Sequence, residues 1–174
     1  MQVFRFSGYW KDVGTIDSLW EANLDLLNPQ SQLDLCDPAW KIYSRTPVAP
    51  PQYIAPESYV QNSLITEGCE IHGSIEYSIL AENVIVEEGA KIEASIIMPG
   101  SVIKKGASVQ YAIIAENVTV GEGAKIGERP EEYTDRTKWG VAVVGAGLKV
   151  EAGAKLPAGE MAKTNIKAGL SNDN

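Results

Sequence analysis

Three consecutive 17-residue blocks, SILAENVIVEEGAKIEA (78–94), SIIMPGSVIKKGASVQY (95–111) and AIIAENVTVGEGAKIGE (112–128), lie over one another without a gap. Within them a large aliphatic recurs at spacings of six, six and five: Leu80, Val86, Ile92; Ile97, Ile103, Val109; Ile114, Val120, Ile126. A helix needs apolar residues every three or four positions, and a half-buried strand every two. A spacing of six fits a coil with three short flat sides, one hexapeptide per side, and repetition at this period marks a parallel β-helix.

Two further columns support that architecture. Three residues before the aliphatic stands Gly or Asn, at Gly68, Asn83, Gly89, Gly100, Gly106, Asn117, Gly123, Gly147 and Gly153. These residue types reach left-handed backbone at low cost, as a tight corner repeated in every coil demands. Two residues before the aliphatic stands a small or medium side chain: Cys69, Val84, Ala90, Ser101, Ala107, Val118, Ala124, Leu148 or Ala154. Strand alternation turns it to the same side, so the pair fills a narrow interior. Charged residues (Glu87, Glu88, Lys91, Lys104, Lys105, Lys125) take outward positions. A β-sandwich with coincidental spacing is the competing fold.

The stretch SLITEGCEIHGSIEY (63–77) reads as a shortened first coil, and VVGAGLKVEAGAKLPAG (143–159) resumes the pattern at Val144, Val150 and Leu156. Between them, ERPEEYTDRTKWG (128–140) is an excursion outside the coil, either solvated or partner-binding. Residues 1–28 follow other rules. VFRF is a short strand candidate, and Thr15 caps a helix whose Ile16, Leu19, Trp20, Asn23, Leu24 and Leu27 share one face. That stripe must be covered by something else, either in this chain or in a missing part, and residues 1–28 are expected to be poorly packed or to self-associate. Five prolines within 29–53 make this segment an extended connector, so the organisation is 1–28, 29–53 and a β-helix over 54–174.

With 23 acidic against 15 basic residues the net charge is −8, which gives nucleic acid no basic face to bind. No apolar run approaches a membrane span and no signal peptide opens the chain. Cys36 and Cys69 lack zinc-like spacing and read as buried, reduced thiols of a cytoplasmic protein. A single histidine, His72, is too few for a zinc site of hexapeptide carbonic anhydrase type, and it is the sole base available to a hexapeptide acyltransferase.

The strings GYWKDVGTIDSLWEANLDLL (8–27), WKIYSR (40–45), PPQYI (50–54) and NSLITEGCEIHGSI (62–75) resemble the carboxy-terminal part of the bacterial ADP-glucose pyrophosphorylase (glucose-1-phosphate adenylyltransferase) family. The resemblance implies a left-handed parallel β-helix, mainly β, preceded by a strand-loop-helix remnant of an α/β nucleotidyltransferase domain. It implies that the complete enzyme, a cytoplasmic homo- or heterotetramer, makes ADP-glucose and pyrophosphate from ATP and glucose 1-phosphate with Mg²⁺, under control of a small phosphorylated effector. The aspartate of the YW-x-D-x-GT motif, a catalytic metal ligand there, corresponds to Asp12; Tyr9, Trp10 and Gly14 of the same loop are implied to be cofactor-binding, Tyr9 and Trp10 packing the loop against the rest of the catalytic domain and Gly14 permitting the turn into the helix. Lys41 and Arg45 fall where the family places its domain junction, so a phosphate-reading role attaches to them. By this resemblance the chain is a fragment that begins near the end of the catalytic domain. Alone it is expected to be inactive and to serve oligomerisation and allosteric regulation, its parent being the enzyme or a non-catalytic regulatory paralogue.

Overall fold

The computed structural model describes residues 3–31, 33, 35, 37–41, 43, 48–131 and 139–169. Its strands assemble into three parallel six-stranded sheets, and successive strands pass from sheet to sheet, giving a β-helix of six coils. The first sheet stacks Tyr53–Ile54, Glu70–Ile71, Ile85–Val86, Val102–Ile103, Thr119–Val120 and Lys149–Val150. The second stacks Tyr59–Gln61, Ser74–Glu76, Lys91–Glu93, Ser108–Gln110, Lys125–Ile126 and Lys155–Leu156. The third stacks Leu64–Ile65, Ile79–Leu80, Ile96–Ile97, Ala112–Ile114, Ala142–Val144 and Met161–Ala162. Strands of two or three residues persist only because each backbone group pairs with the coil above or below.

The aliphatic column is the core. Leu80, Val86, Ile97, Ile103, Val109, Ile114, Val120 and Ile126 are all fully buried, with Ala90, Ala107 and Ala124 beside them. Pairing of like residues across coils, Ile71 on Val86 on Ile103 on Val120 on Val150, makes one continuous apolar column down the first side. The nine Gly and Asn corner residues all have positive φ, between 56° and 74°.

Three features depart from the sequence reading. The β-helix begins one strand set earlier than the stretch 63–77, since Tyr53–Ile54 already pairs with Glu70–Ile71. A further corner, between the second and third sheets, places Asn62, Tyr77, Ala94 and Tyr111 at φ of 39° to 47°. No glycine column announces it, because each side ending there is a residue shorter and a serine ladder takes up the strain. Ser78 N donates to Ser63 Oγ, Ser95 N to Ser78 Oγ and Ala112 N to Ser95 Oγ, each at 3.1 Å, so the buried hydroxyls are satisfied. Third, the outward positions of the third sheet are not charged. Leu64, Ile79, Ile96, Ile113, Val143 and Met161 stand in register there as an aliphatic stripe.

Helix α1 (Ile16–Leu24), continued by a 3₁₀ turn over Asp25–Leu27, covers the middle of that stripe. Thr15 Oγ1 accepts from Ser18 N at 3.1 Å and Ser18 Oγ from Thr15 N at 3.0 Å, a reciprocal cap that starts the helix. Leu19 and Trp20 pack on Ile96, Ile113 and Val141. The expectation that residues 1–28 are poorly packed is therefore corrected for the helix, whose stripe rests on the β-helix itself. It stands for Val3, Phe4, Phe6 and Trp10, which remain exposed.

Glycines at two positions separate torsion from space. A Cβ at Gly106 (φ 67°) meets nothing within 4 Å, so Gly106→Ala is expected to cost about 1–2 kcal/mol of backbone strain alone. Gly106→Asn is expected to cost less, because Asn tolerates this region. At Gly73 an added Cβ would lie 2.4 Å from Ala90 O, so Gly73→Ala must displace backbone and is expected to be the most damaging of the three. Equilibrium urea unfolding ranks them.

Candidate functional site

The motif loop at residues 9–14 is tied to α1, and α1 to the β-helix, by a short series of polar contacts. Trp20 Nε1 donates to Ala94 O at 2.7 Å, at the left-handed corner, and Val141 N donates to Asp17 Oδ1 at 3.2 Å. The Trp20 ring lies against Tyr111 with centroids 5.8 Å apart, and Tyr111 meets Trp139 edge-on at 5.6 Å. Trp139 Nε1 donates to Glu128 O at 2.9 Å, closing the base of the excursion between them. Burial, with the Glu93 carboxylate adding to it, raises the Tyr111 phenol above its ordinary pKa.

At the other end of the helix, Asp25 Oδ2 accepts from Tyr9 Oη at 2.9 Å and from Lys11 Nζ at 3.0 Å, while Lys11 also reaches Glu21 at 3.3 Å. Desolvation of Asp25 opposes its ionisation, but the Lys11 and Tyr9 hydrogen bonds prevail and hold its carboxyl below the usual range. Lys11 is raised on the same balance, its two carboxylate partners outweighing desolvation, and Tyr9 is raised by desolvation and by Asp25.

Between these anchored residues stands Asp12, exposed, with Oδ1 accepting from Gly14 N at 3.1 Å. That is an Asx turn, and it leaves Oδ2 without a hydrogen bond among the described residues. Gly14 is not among the left-handed glycines, and a Cβ there would lie 3.4 Å from Asp12 Oδ1, an ordinary contact. Trp10 is 77% exposed. Lys41 is exposed and has no ion pair among the described residues; Arg45 and Cys36 lie outside the described residues. Cys69 is buried, its thiol donating to Ala81 O at 3.1 Å, and burial pushes its pKa up. His72 Nε2 lies 2.8 Å from Glu70 Oε1, beside Tyr53, with no second histidine in the chain. Among the described residues no group of three His, Cys, Asp or Glu side chains is placed to hold a metal ion, and no helix is long and apolar enough to cross a membrane.

The motif loop thus offers a single open carboxylate held at a defined position. One carboxylate is a partial fit for magnesium, a hard cation that takes one or two carboxylates and fills its octahedron with phosphate oxygens and water. Sequence reasoning found Asp12 and Tyr9 but missed Asp25, which holds Tyr9 and Lys11 on the amino-terminal side of Asp12. It also missed the dock for α1; the doubled aliphatics Ile79-Leu80, Ile96-Ile97 and Ile113-Ile114 were its visible signal.

Three faces, hexapeptide spacing and a repeated left-handed corner define a hexapeptide-repeat β-helix protein. A family model described as GlmU-like, C-terminal hexapeptide matches residues 52–150, and the chain belongs to that family. Over 105 residues it is 51% identical to glucose-1-phosphate adenylyltransferases of Bacillus thuringiensis (strain Al Hakam), Bacillus mycoides (strain KBAB4) and Bacillus anthracis. Each match takes in 60% of this chain and 28% of the relative, so the chain spans well under half the length of the curated relatives it matches.

Two measurements check the anchoring. Trp20→Phe keeps the ring but strands the Ala94 carbonyl; a cost of about 1–3 kcal/mol is expected, read as lost hydrogen-exchange protection at the α1 amides. The lowered Asp25 pKa stabilises the loop above the usual carboxylate range, an effect lost as pH falls through that lowered value. The raised Lys11 pKa stabilises it below the usual lysine range, lost as pH rises through the raised value. Tyr9 ring resonances are therefore expected to stay constant across the whole interval between, and Asp25→Asn to shift them at neutral pH.

Proposed function

We propose that this chain is the carboxy-terminal part of a glucose-1-phosphate adenylyltransferase, which joins ATP and glucose 1-phosphate into ADP-glucose with release of pyrophosphate. The observation that carries the reading is the YW-x-D-x-GT loop pinned through Asp25 and Trp20 to a β-helix that is 51% identical to those enzymes over 105 residues. Asp12 is the residue here that would hold magnesium, by its unengaged oxygen. When bound, the ion neutralises phosphate charge and orients the phosphates for in-line displacement. Tyr9 and Lys11 fix the backbone on either side of Trp10 through Asp25, so the carboxylate is delivered at a set distance from the β-helix. The remaining ligands and the nucleotide- and sugar-binding groups belong to the length of the relatives that this chain does not match.

The β-helix itself is the assembly and regulatory part, in a cytoplasmic tetramer controlled by a small phosphorylated effector that Lys41 and Arg45 help to read. Nothing in the geometry supports an acyltransferase, since His72 is held by Glu70 and lacks a facing histidine or nucleophile among the described residues. The chain alone is expected to give no ADP-glucose. Co-expression with a polypeptide covering the rest of the Bacillus relative is expected to restore synthesis, and Asp12→Asn to abolish it with the assembly intact. A stable assembly that stays inactive, or one indifferent to Asp12→Asn, would refute the reading.

A further inference from the structure

The three outward faces of the coil differ in what they can meet. Helix α1 lies over the middle of the third, and the second is polar, its column running Tyr59, Ser74, Lys91, Ser108, Lys125, Lys155. On the first face the register sets Tyr53, Glu70, Ile85, Val102, Thr119 and Lys149 in one outward column. Ile85, Val102 and Thr119 are half-buried and β-branched, so they make a flat, mostly apolar centre. Glu70 and Lys149 flank that centre, exposed and opposite in charge. A second column lies beside it, formed by the residue that follows each strand: His72, Glu87, Lys104, Gly121 and Glu151.

That order is complementary to itself when reversed. A twofold axis parallel to the strands through Val102 sets Val102 on Val102, Ile85 on Thr119 and Glu70 on Lys149 of a second copy. In the adjoining column it sets His72 on Glu151. The one meeting of like charges is Lys104 on Lys104, and each Lys104 is held by its own Glu87 at 2.7 Å, so the axis carries two acids and two bases. The same reversal on the second face would set Lys91 on Lys125, a repulsive pair. Charge along the whole coil agrees with an antiparallel arrangement. Residues 53–94 hold eight glutamates against one lysine, and residues 142–169 hold four lysines against two glutamates. Two coils side by side in opposite directions bring each acidic end to a basic one. We propose that the first face pairs with the same face of a second copy of this chain, as an antiparallel twofold dimer. The inference rests on the reading of the β-helix as the assembly part, and adds the face and the symmetry. A twofold contact uses one patch on both copies and closes at two, whereas head-to-tail contact would run on into a filament. Five coils span only about 20 Å at the inter-strand spacing, small for a permanent interface, so the dimer is reversible.

The test is sedimentation equilibrium of the full chain from micromolar to millimolar concentration, where a monomer–dimer equilibrium and nothing larger is expected. Val102→Lys puts two ammonium groups on the axis, and Glu70→Lys or Lys149→Glu turns two attractions into repulsions. Each is expected to weaken dimerisation by about tenfold or more. Glu70→Lys and Lys149→Glu combined in one chain restore opposite charges across the axis, and are expected to recover the unaltered affinity to within about threefold. All three side chains point outward, so the variants are expected to fold, with thermal midpoints as the check. The exposed Phe4 and Phe6 supply the control, since Phe4→Ser with Phe6→Ser is expected to leave the dimer intact. A chain that stays monomeric, a dimer indifferent to Val102→Lys, charge reversals that do not rescue each other, or growth beyond two copies would each overturn the proposal. Val102→Lys in the co-expressed assembly separates this failure from that of the assembly reading. An assembly of unchanged size refutes this face alone, whereas no assembly even with Val102 in place refutes both.

Discussion

A three-sided coil whose sides are two or three residues long has an interior too narrow for two large side chains per side. Every coil must therefore supply one large aliphatic and one small or medium companion per face, Ala90 and Ala107 at one extreme and Val84 and Val118 at the other, and must turn between faces within a residue or two. The rest follows from that limit. The Ala90, Ala107 and Ala124 positions are small because Ile92, Val109 and Ile126 already fill the space beside them. The corners hold Gly and Asn in the left-handed region, and the parallel ladders arise because coils of equal perimeter stack in register.

The helix shows what the same geometry leaves outside. A third sheet with aliphatics on both faces cannot stand bare in water, and α1 brings Leu19 and Trp20 to cover Ile96 and Ile113. Apolar contact alone would let a short helix slide along a uniform stripe. Trp20 on Ala94 O and Asp17 on Val141 N are directional bonds that select one position. Because Asp25 at the far end of the same helix holds Tyr9 and Lys11, the loop bearing Asp12 inherits that position. A displacement of the β-helix corner would thus be felt at the carboxylate through the roughly one and a half helical turns between Trp20 and Asp25.

Legibility in the sequence tracked how directly a residue type answers a backbone demand. Gly100, Gly106 and Asn117 were readable because left-handed torsion restricts the choice of side chain. Tyr77, Ala94 and Tyr111 occupy the same backbone region and were not, since the serine ladder and the aromatic packing around Trp20 compensate for the strain nonlocally. Thr15 as a cap and the face of α1 were legible from local pattern. The apolar stripe under the dock left a trace in the doubled aliphatics, but the place of α1 on it did not, because a pairing between residues 20 and 94 has no local pattern. Asp12 owed its identification to a motif, whereas Asp25 sits in an ordinary helix end and acquires its role only when Tyr9 and Lys11 fold back onto it.

Hydrogen bonds in this molecule run from coil to coil rather than along the chain, and that has a consequence at the corner after Ile126. The polypeptide leaves there and returns at Ala142, whose strand nonetheless aligns residue for residue with Ala112–Ile114. Register is carried by the preceding layer and not by the length of the connection. Such a corner is a grafting port: segments of different size and chemistry can be exchanged at it across evolution while the scaffold beneath keeps its dimensions.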